Sequence, residues 1–451
     1  MRKIFTLVIS ILPLLYSSTA FCLTLEDAIT KAYENNPELK SYQQEYIREI
    51  QQYPEAFSEG FLPDVSIQAS SSKIRQPSQI QGHASKGSNL QGSFNIVQNL
   101  FAGWAGIHGL SAASKAVEAA KLDYLAKEQK FIQDAVKTYI DFIVASEKFE
   151  STKSFVNSAR NEYEASLERK KVGEVTKSEV ATAKAQLSEA LASHSANRAA
   201  MKTTENKFTE FFGINPGEIH MPDLPKDLPS SFDEFKDFAL GNNLIVKRQF
   251  MQLLSLRSKS KASYAGLLPK LNARFTKSNK IDESHETVRK TEEHASYTTS
   301  LELSVPILPR GGSEYSKIRR AKSEYRRNVA VLENIKRQIN TQLIQTWENF
   351  IAAKDASEFS KEAVEARKLA YDSTKSAYEV GLKTMLEVLK AEKELFEAVA
   401  RNIQHRENYI KAAYDIKSEL AQLTAKEMHL HAKLFDPDQE LRKTKFKLLG
   451  F

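Results

Sequence analysis

Two periods of hydrophobic and polar positions run along this chain. From Ala105 to Lys171, and again from Ser313 to Glu379, apolar residues recur at helical spacing. Phe131, Ala135, Val136, Tyr139, Phe142 and Ile143 share one face, and Ile339, Leu343, Ile344, Trp347, Phe350 and Ile351 share another. Elsewhere the period is two. Val65, Ile67 and Ala69 alternate with Asp64, Ser66 and Gln68, and Leu271, Ala273 and Phe275 alternate with Asn272, Arg274 and Thr276. Each run has a returning partner, through Phe94, Ile96 and Leu100, or through Leu301, Leu303, Val305 and Ile307. The pattern predicts four strands, at about 62–71, 92–101, 268–277 and 297–307. Polar loops are expected between them, at 71–89 and 278–294.

The helical stretches hold almost none of the residues that punctuate structure. No proline falls between Pro77 and Pro216 or between Pro309 and Pro437. Ala, Glu, Lys, Leu and Gln, all good helix formers, fill both stretches. At roughly 1.5 Å per residue each helix, 105–171 and 313–379, would run about 100 Å. Such lengths call for a bundle, a coiled coil or a tube. Gly173 and Gly381 follow the two helices, and a second apolar seam begins near Thr176 and Thr384. The glycines are therefore read as hairpin tips in left-handed turns, with the chain returning antiparallel.

Over the long helices and their tips these parallels hold at one offset. The six apolar positions of each face and the two glycines stand 208 residues apart, as Gly173 does from Gly381. "GFLPDVSIQAS" at Gly60 is answered by "GLLPKLNARFT" at Gly266. That is an internal duplication. The expected domains are a first repeat at 23–229, a second at 230–424 and a basic, mobile tail at 425–451. Four prolines from Pro216 to Pro229 mark the linker.

Composition narrows the class. Arg2 and Lys3, the apolar run Ile4 to Leu15 and the small residues before Cys22 read as a signal peptide over 1–22. Cleavage after Ala20 and after Cys22 both fit. Cys22 is the chain's one cysteine, so an exported protein would fold without disulfides. No later apolar run is long enough for a membrane-spanning helix, whereas a membrane-spanning strand needs only about ten alternating residues. Four strands cannot close a barrel, and open edges are not tolerated in lipid, so several chains would have to share one. The net charge of +7 is spread along helical faces and reads as a solvated surface. Export argues against a nucleic-acid partner. No phosphate loop, nucleophile elbow or Cys/His cluster occurs, so no catalytic, cofactor or metal site is expected. His429 and His431 read as surface residues. Phe101 and Trp104 fit either an interfacial aromatic pair or packing of the strand–helix turn.

The order helix, strand, strand, long helix, glycine tip, helix, given twice, resembles the TolC family of outer-membrane efflux ducts. The most specific stretch is "YEVGLKTMLEVLKAEKELFEA" from Tyr378, similar to the family's tip motif of Y-x-x-G, a basic residue and D-V-L-D. The opening "LTLEDAITKAYENNPEL" at Leu23 is also alike. The resemblance implies a mainly α fold with a β-barrel part. A homotrimer would share a 12-stranded barrel in outer-membrane lipid, continued by an α-helical tube in the periplasm. It implies a passive conduit for efflux or type I secretion, opened by a periplasmic adaptor and an inner-membrane transporter.

Carried over by position, the periplasmic entrance falls on Glu387 and Lys390. The closing contacts fall between Tyr378 and Lys383 on one hairpin and Ser178 and Glu179 on the other. Lys390 departs from the family, which has an acid there. Lys383 stands where Arg is common and loses the bidentate fork. The alternative reading is a soluble periplasmic adaptor with a helical hairpin. Such proteins carry one hairpin and a Gly-rich β-domain, whereas this chain has two equal hairpins.

Overall fold

The computed structural model describes residues 23–77, 84–286, 288–445 and 447. The expected signal peptide at 1–22 lies outside them. Three short helices open the chain: α1 (Leu25–Asn35), α2 (Pro37–Ile50) and α3 (Gln52–Phe61). Strands β1 (Asp64–Pro77) and β2 (Ala84–Ala102) lead into α4 (Ala105–Lys171) and α5 (Lys177–Phe212). The second half repeats the order with α6 (Phe232–Asn242), α7 (Leu244–Ala262), β3 (Lys270–Glu286), β4 (Val288–Ser304), α8 (Ser313–Glu379) and α9 (Met385–Glu419). Helix α10 (Pro437–Lys445) closes it. Both long helices have 67 residues.

The four strands form one antiparallel sheet in chain order, β1-β2-β3-β4. Its register sorts the side chains. Val65 pairs with Ile96 and Ile96 with Phe275, while Leu271 pairs with Leu303, so one face is apolar. Ser66, Asn95, Thr276 and Thr298 line up on the other. On the apolar face Ile67 is 80 % exposed and Leu303 65 %, as a surface facing lipid requires. Leu100 does not continue the alternation, because the register shifts between Asn99 and Phe101 at a bulge.

The strands correct the expected lengths. They have 14, 19, 17 and 17 residues instead of about ten, and most of the stretches expected to be polar loops are paired strand. The apolar alternation covers only the end of the sheet nearest the helices. Backbone pairing continues past it, because a ladder needs hydrogen-bond partners and not apolar side chains.

Below the sheet the duplicated apolar faces turn into two cores. Phe131, Ala135, Val136, Tyr139, Phe142 and Ile143 pack with α1, with Phe208 and Phe212 of α5, and with Ile403 and Ile410 of α9. Ile339, Leu343, Trp347 and Phe350 pack with Phe235 of α6 and with Ala413 and Ile416 of α9. Ile344, expected in that face, stays 42 % exposed.

The tail is the second correction, because much of it is held in place. Ala425 and Leu430 enter the first core, and Phe435 packs on Tyr46 and Tyr124. The Tyr46 hydroxyl donates to the Pro437 carbonyl at 2.9 Å, and Lys121 pairs with Asp438 at 2.8 Å. The apolar pegs stand at irregular intervals among lysines, so no helical period announced them. Trp104 is exposed and meets Phe101 edge-on at 5.6 Å.

Each long helix ends in the same turn. The Gly173 N–H donates to the Lys170 carbonyl at 3.1 Å and the Glu174 N–H to Arg169 at 3.0 Å. Gly381 and Leu382 repeat this with Tyr378 and Ala377, both at 2.9 Å. This is the Schellman arrangement, which needs a left-handed residue, and both glycines have φ +80°. Gly381→Ala should therefore lower stability by about 1–2 kcal/mol in denaturant titration. Ile67→Arg and Leu303→Arg, placed on the apolar face, should each cost about 2–4 kcal/mol and reduce assembled protein in the membrane fraction. Unchanged assembly with both arginines would contradict a lipid-facing sheet.

Candidate functional site

The two hairpin tips lie at the end of the molecule away from the sheet. After each glycine the chain starts a new helix with the same device. The Thr176 side chain accepts from the Glu179 N–H at 3.2 Å, and the Glu179 carboxylate accepts from the Thr176 N–H at 2.7 Å. Thr384 and Glu387 do likewise at 3.3 and 2.9 Å. These are capping boxes, each satisfying donors that a helix start leaves unpaired.

The capping role decides much of the tip chemistry. Glu179 is committed to Thr176, and Glu387 to Thr384. Lys383 also bonds Glu387, one turn along the same helix start. The Lys383 ammonium, with the Thr384 N–H, holds the Glu387 carboxyl down to about 2. Lys390 is exposed on the next turn. Ser178 is exposed, and its carbonyl accepts the Thr182 hydroxyl at 3.1 Å.

Tyr378 turns to a residue that the sequence did not single out. Its hydroxyl bonds the Arg169 guanidinium, which also lies over the ring at 5.2 Å. Arg169 closes α4 and Tyr378 closes α8, so this contact ties one hairpin to the other. Among the described residues, the expected contacts of Tyr378 and Lys383 with Ser178 and Glu179 are not made within one chain. The local partners win because they are one helical turn away, or already face the side chain.

Behind the tips the hairpins share a small apolar cluster. Met385, Val388 and Leu389 of α9 pack with Ala183 of α5 and with Tyr163, Tyr371 and Tyr378. One turn further on, Glu392 is buried on the same face. It accepts from the Ser158 hydroxyl of α4 and from Gln186 of α5 at 3.2 Å. Burial is the main reason its carboxyl is pushed above the ordinary range. The one available sequence signal was its place four residues after Val388, on the apolar seam. Outside the seam, Lys393 pairs with Glu189 at 2.7 Å and Arg367 with Glu394. Gly173, Gly381, Glu387, Lys390, Tyr378, Lys383, Ser178 and Glu179 thus all lie in the tip region, linked through Arg169 and Glu392.

The model of the family described as "Outer membrane efflux protein" matches residues 28–213 and 237–424. The first block runs from α1 to the end of α5, and the second from α6 to just beyond α9. The outer membrane efflux protein BepC of Brucella suis is 23 % identical over 437 residues, covering 97 % of this chain and 93 % of that one. The outer membrane protein TolC of Vibrio cholerae is 22 % identical over 440 residues, covering 95 % and 97 %. The CmeC outer membrane channel of Campylobacter jejuni superposes with a TM-score of 0.73 at 16 % identity, over 94 % of this chain and 89 % of that one. Matched in both halves, the chain belongs to the outer membrane efflux protein family and is an efflux duct of the outer membrane that extends into the periplasm.

Proposed function

We propose that three copies close one barrel and one tube, and that the tips form a gate opened when a periplasmic adaptor and an inner-membrane pump dock. The two repeats, 23–229 and 230–424, would then supply alternate walls of the tube. The observation that carries this reading is the sheet. Strands β1 and β4 each expose an unpaired edge, which lipid does not tolerate. Supplying β4 of one copy to β1 of the next removes both edges at once. The protein in mild detergent should sediment as a trimer, and a stable folded monomer would overturn the reading.

The gate rests on weak bonds. Arg169 with Tyr378 holds hairpin to hairpin, and Lys383 holds Glu387 within a tip. An exposed ion pair such as Lys383 with Glu387 is worth roughly 0–1 kcal/mol. These bonds favour a closed arrangement that a docking partner can replace. The entrance ring reads differently from an acidic constriction. Glu387 is already paired with Lys383, and Lys390 adds a free-standing positive charge at the surface. Such a ring selects weakly against cations.

Acid acts on the two carboxylates in opposite senses. The folded pKa of Glu387 is depressed, so its contribution is present above the unfolded carboxylate value and lost only as pH falls toward about 2. That of Glu392 is raised, so the site disfavours the charged form and gains stability as pH falls. Mild acidification should therefore not loosen the hairpins. Thermal unfolding at about pH 7.5 and about pH 5 should show a gain at Glu392 that Glu392→Gln abolishes.

Single-channel recording tests the gate. Arg169→Ala combined with Tyr378→Phe should raise conductance several-fold with trimer stability unchanged. Lys390→Asp should shift selectivity toward cations. Wild-type conductance in the first variant would reduce Arg169 and Tyr378 to surface packing.

A further inference from the structure

The duplication places inside each chain a seam that can be compared with the one between copies. Within the chain, α4 of the first repeat packs on α7 of the second. Near the sheet this contact is close because its residues are small. The Ser111 and Ser258 hydroxyls lie 3.2 Å apart, and the Ser255 hydroxyl donates to the Ala112 carbonyl at 2.8 Å. A Cβ on Gly103 would stand 2.8 Å from the Leu268 side chain and 3.0 Å from the Ala265 carbonyl.

The offset of 208 carries Gly103, Ser111, Ala112 and Ala119 onto Gly311, Arg319, Arg320 and Arg327. Gly311 keeps the backbone angle, φ +60° against +61°, but lies open at the free edge of the layer. The helix that would lie there follows from topology. Strand β4 leads into α8, and α3 leads into β1. Pairing β4 with β1 of the next copy therefore sets α8 beside α3 of that copy. Helix α3 is the first-repeat counterpart of the end of α7, since Gly60 to Pro63 answers Gly266 to Pro269. At that spacing, 206 residues, Glu55 stands for Lys261 and Glu59 for Ala265.

We propose that the seam between copies is charged near the sheet, where the seam within a copy is built of Ser111, Ala112, Ser255 and Ser258 and has its ion pair, Asp123 with Arg248, farther down, with Arg319 and Arg320 of α8 meeting Glu55 and Glu59 of the next copy. This rests on the shared-barrel reading. All four side chains are exposed, and among the described residues none of them has an ion pair within the chain. Arg319 bonds only the Ser316 hydroxyl, at 2.9 Å. Side chains on a helix lean toward its N-terminus. Helix α8 descends from the sheet and α3 climbs to it, so Arg319 leans up and Glu55 leans down, toward each other. The same charges exclude the wrong neighbour. Helix α8 set against α7 of another copy would bring Arg319 and Arg320 to Arg257, Lys259 and Lys261. The seam thereby fixes the head-to-tail order in which copies join.

Charge reversal tests this by the trimer recovered in mild detergent near physiological salt. Arg319→Glu with Arg320→Glu should lower trimer at least about tenfold, and Glu55→Arg with Glu59→Arg should do the same. All four substitutions together should return it to within about twofold of wild type. Trimers unaffected by either reversal, or a fourfold variant no better than its parents, would overturn the seam while leaving the barrel in place. A wild-type protein that is not trimeric would overturn the shared barrel, and the seam with it.

Discussion

Unpaired backbone at a sheet edge is the constraint on which the rest of this structure depends. In lipid an N–H or C=O group without a partner costs several kcal/mol, and β1 and β4 each carry a row of them. Among the described residues the four strands pair in sequence order, so neither β1 nor β4 has a second partner strand. The helices inherit this. Each strand is joined to a helix at its lower end, β1 to α3, β2 to α4, β3 to α7 and β4 to α8, so the helical layer has the same order as the sheet and the same two free sides. Closure above in the membrane and closure below in water are one geometrical problem.

Stability and movement are assigned to different heights. The two cores lie where the long helices meet α1, α5, α6 and α9, and they bury aromatic and aliphatic side chains worth about 1.5–3 kcal/mol each. Ion pairs such as Lys137 with Asp415, at 2.9 Å, brace the outside of this zone. Toward the tips the apolar cluster shrinks to a few residues around Met385, and polar contacts take over. A tip can shift there without disturbing the cores. The proposed gate thus lies far from the cores that fix the hairpins, where the contacts are fewer and more polar.

The helices were legible because two signals agreed over a long span, a 3.6-residue period and the absence of proline and glycine. The tips were legible because a lone glycine interrupts that pattern at the same place twice. The ends of the strands were not, since pairing continues where Ser71, Ser72 and Lys73 no longer alternate. Nor was the course of the tail, where Leu430 and Phe435 dock without forming a periodic face. At the tips, the carried-over residues lie together, but their bonds are not the expected ones. Arg169 and Tyr378 are 209 positions apart, so nothing local connects them. Glu392 looked like one more charged residue on a charged helix, although its seam position put it inside.

The equal length of α4 and α8 has an evolutionary consequence. Both helices begin at the sheet and both must deliver their turns to one plane. Inserting a single residue in either would swing its tip by about 100° and push it about 1.5 Å out of line. The apolar face would then leave its core, and Tyr378 would point away from Arg169. An insertion that keeps these contacts needs a near-integral number of turns in both repeats, matched in the returning α5 and α9. An insertion of seven residues in each keeps the faces nearly aligned and lengthens the duct by about 10 Å. Lengthening such a duct while keeping its packing thus calls for whole steps taken in both hairpins together.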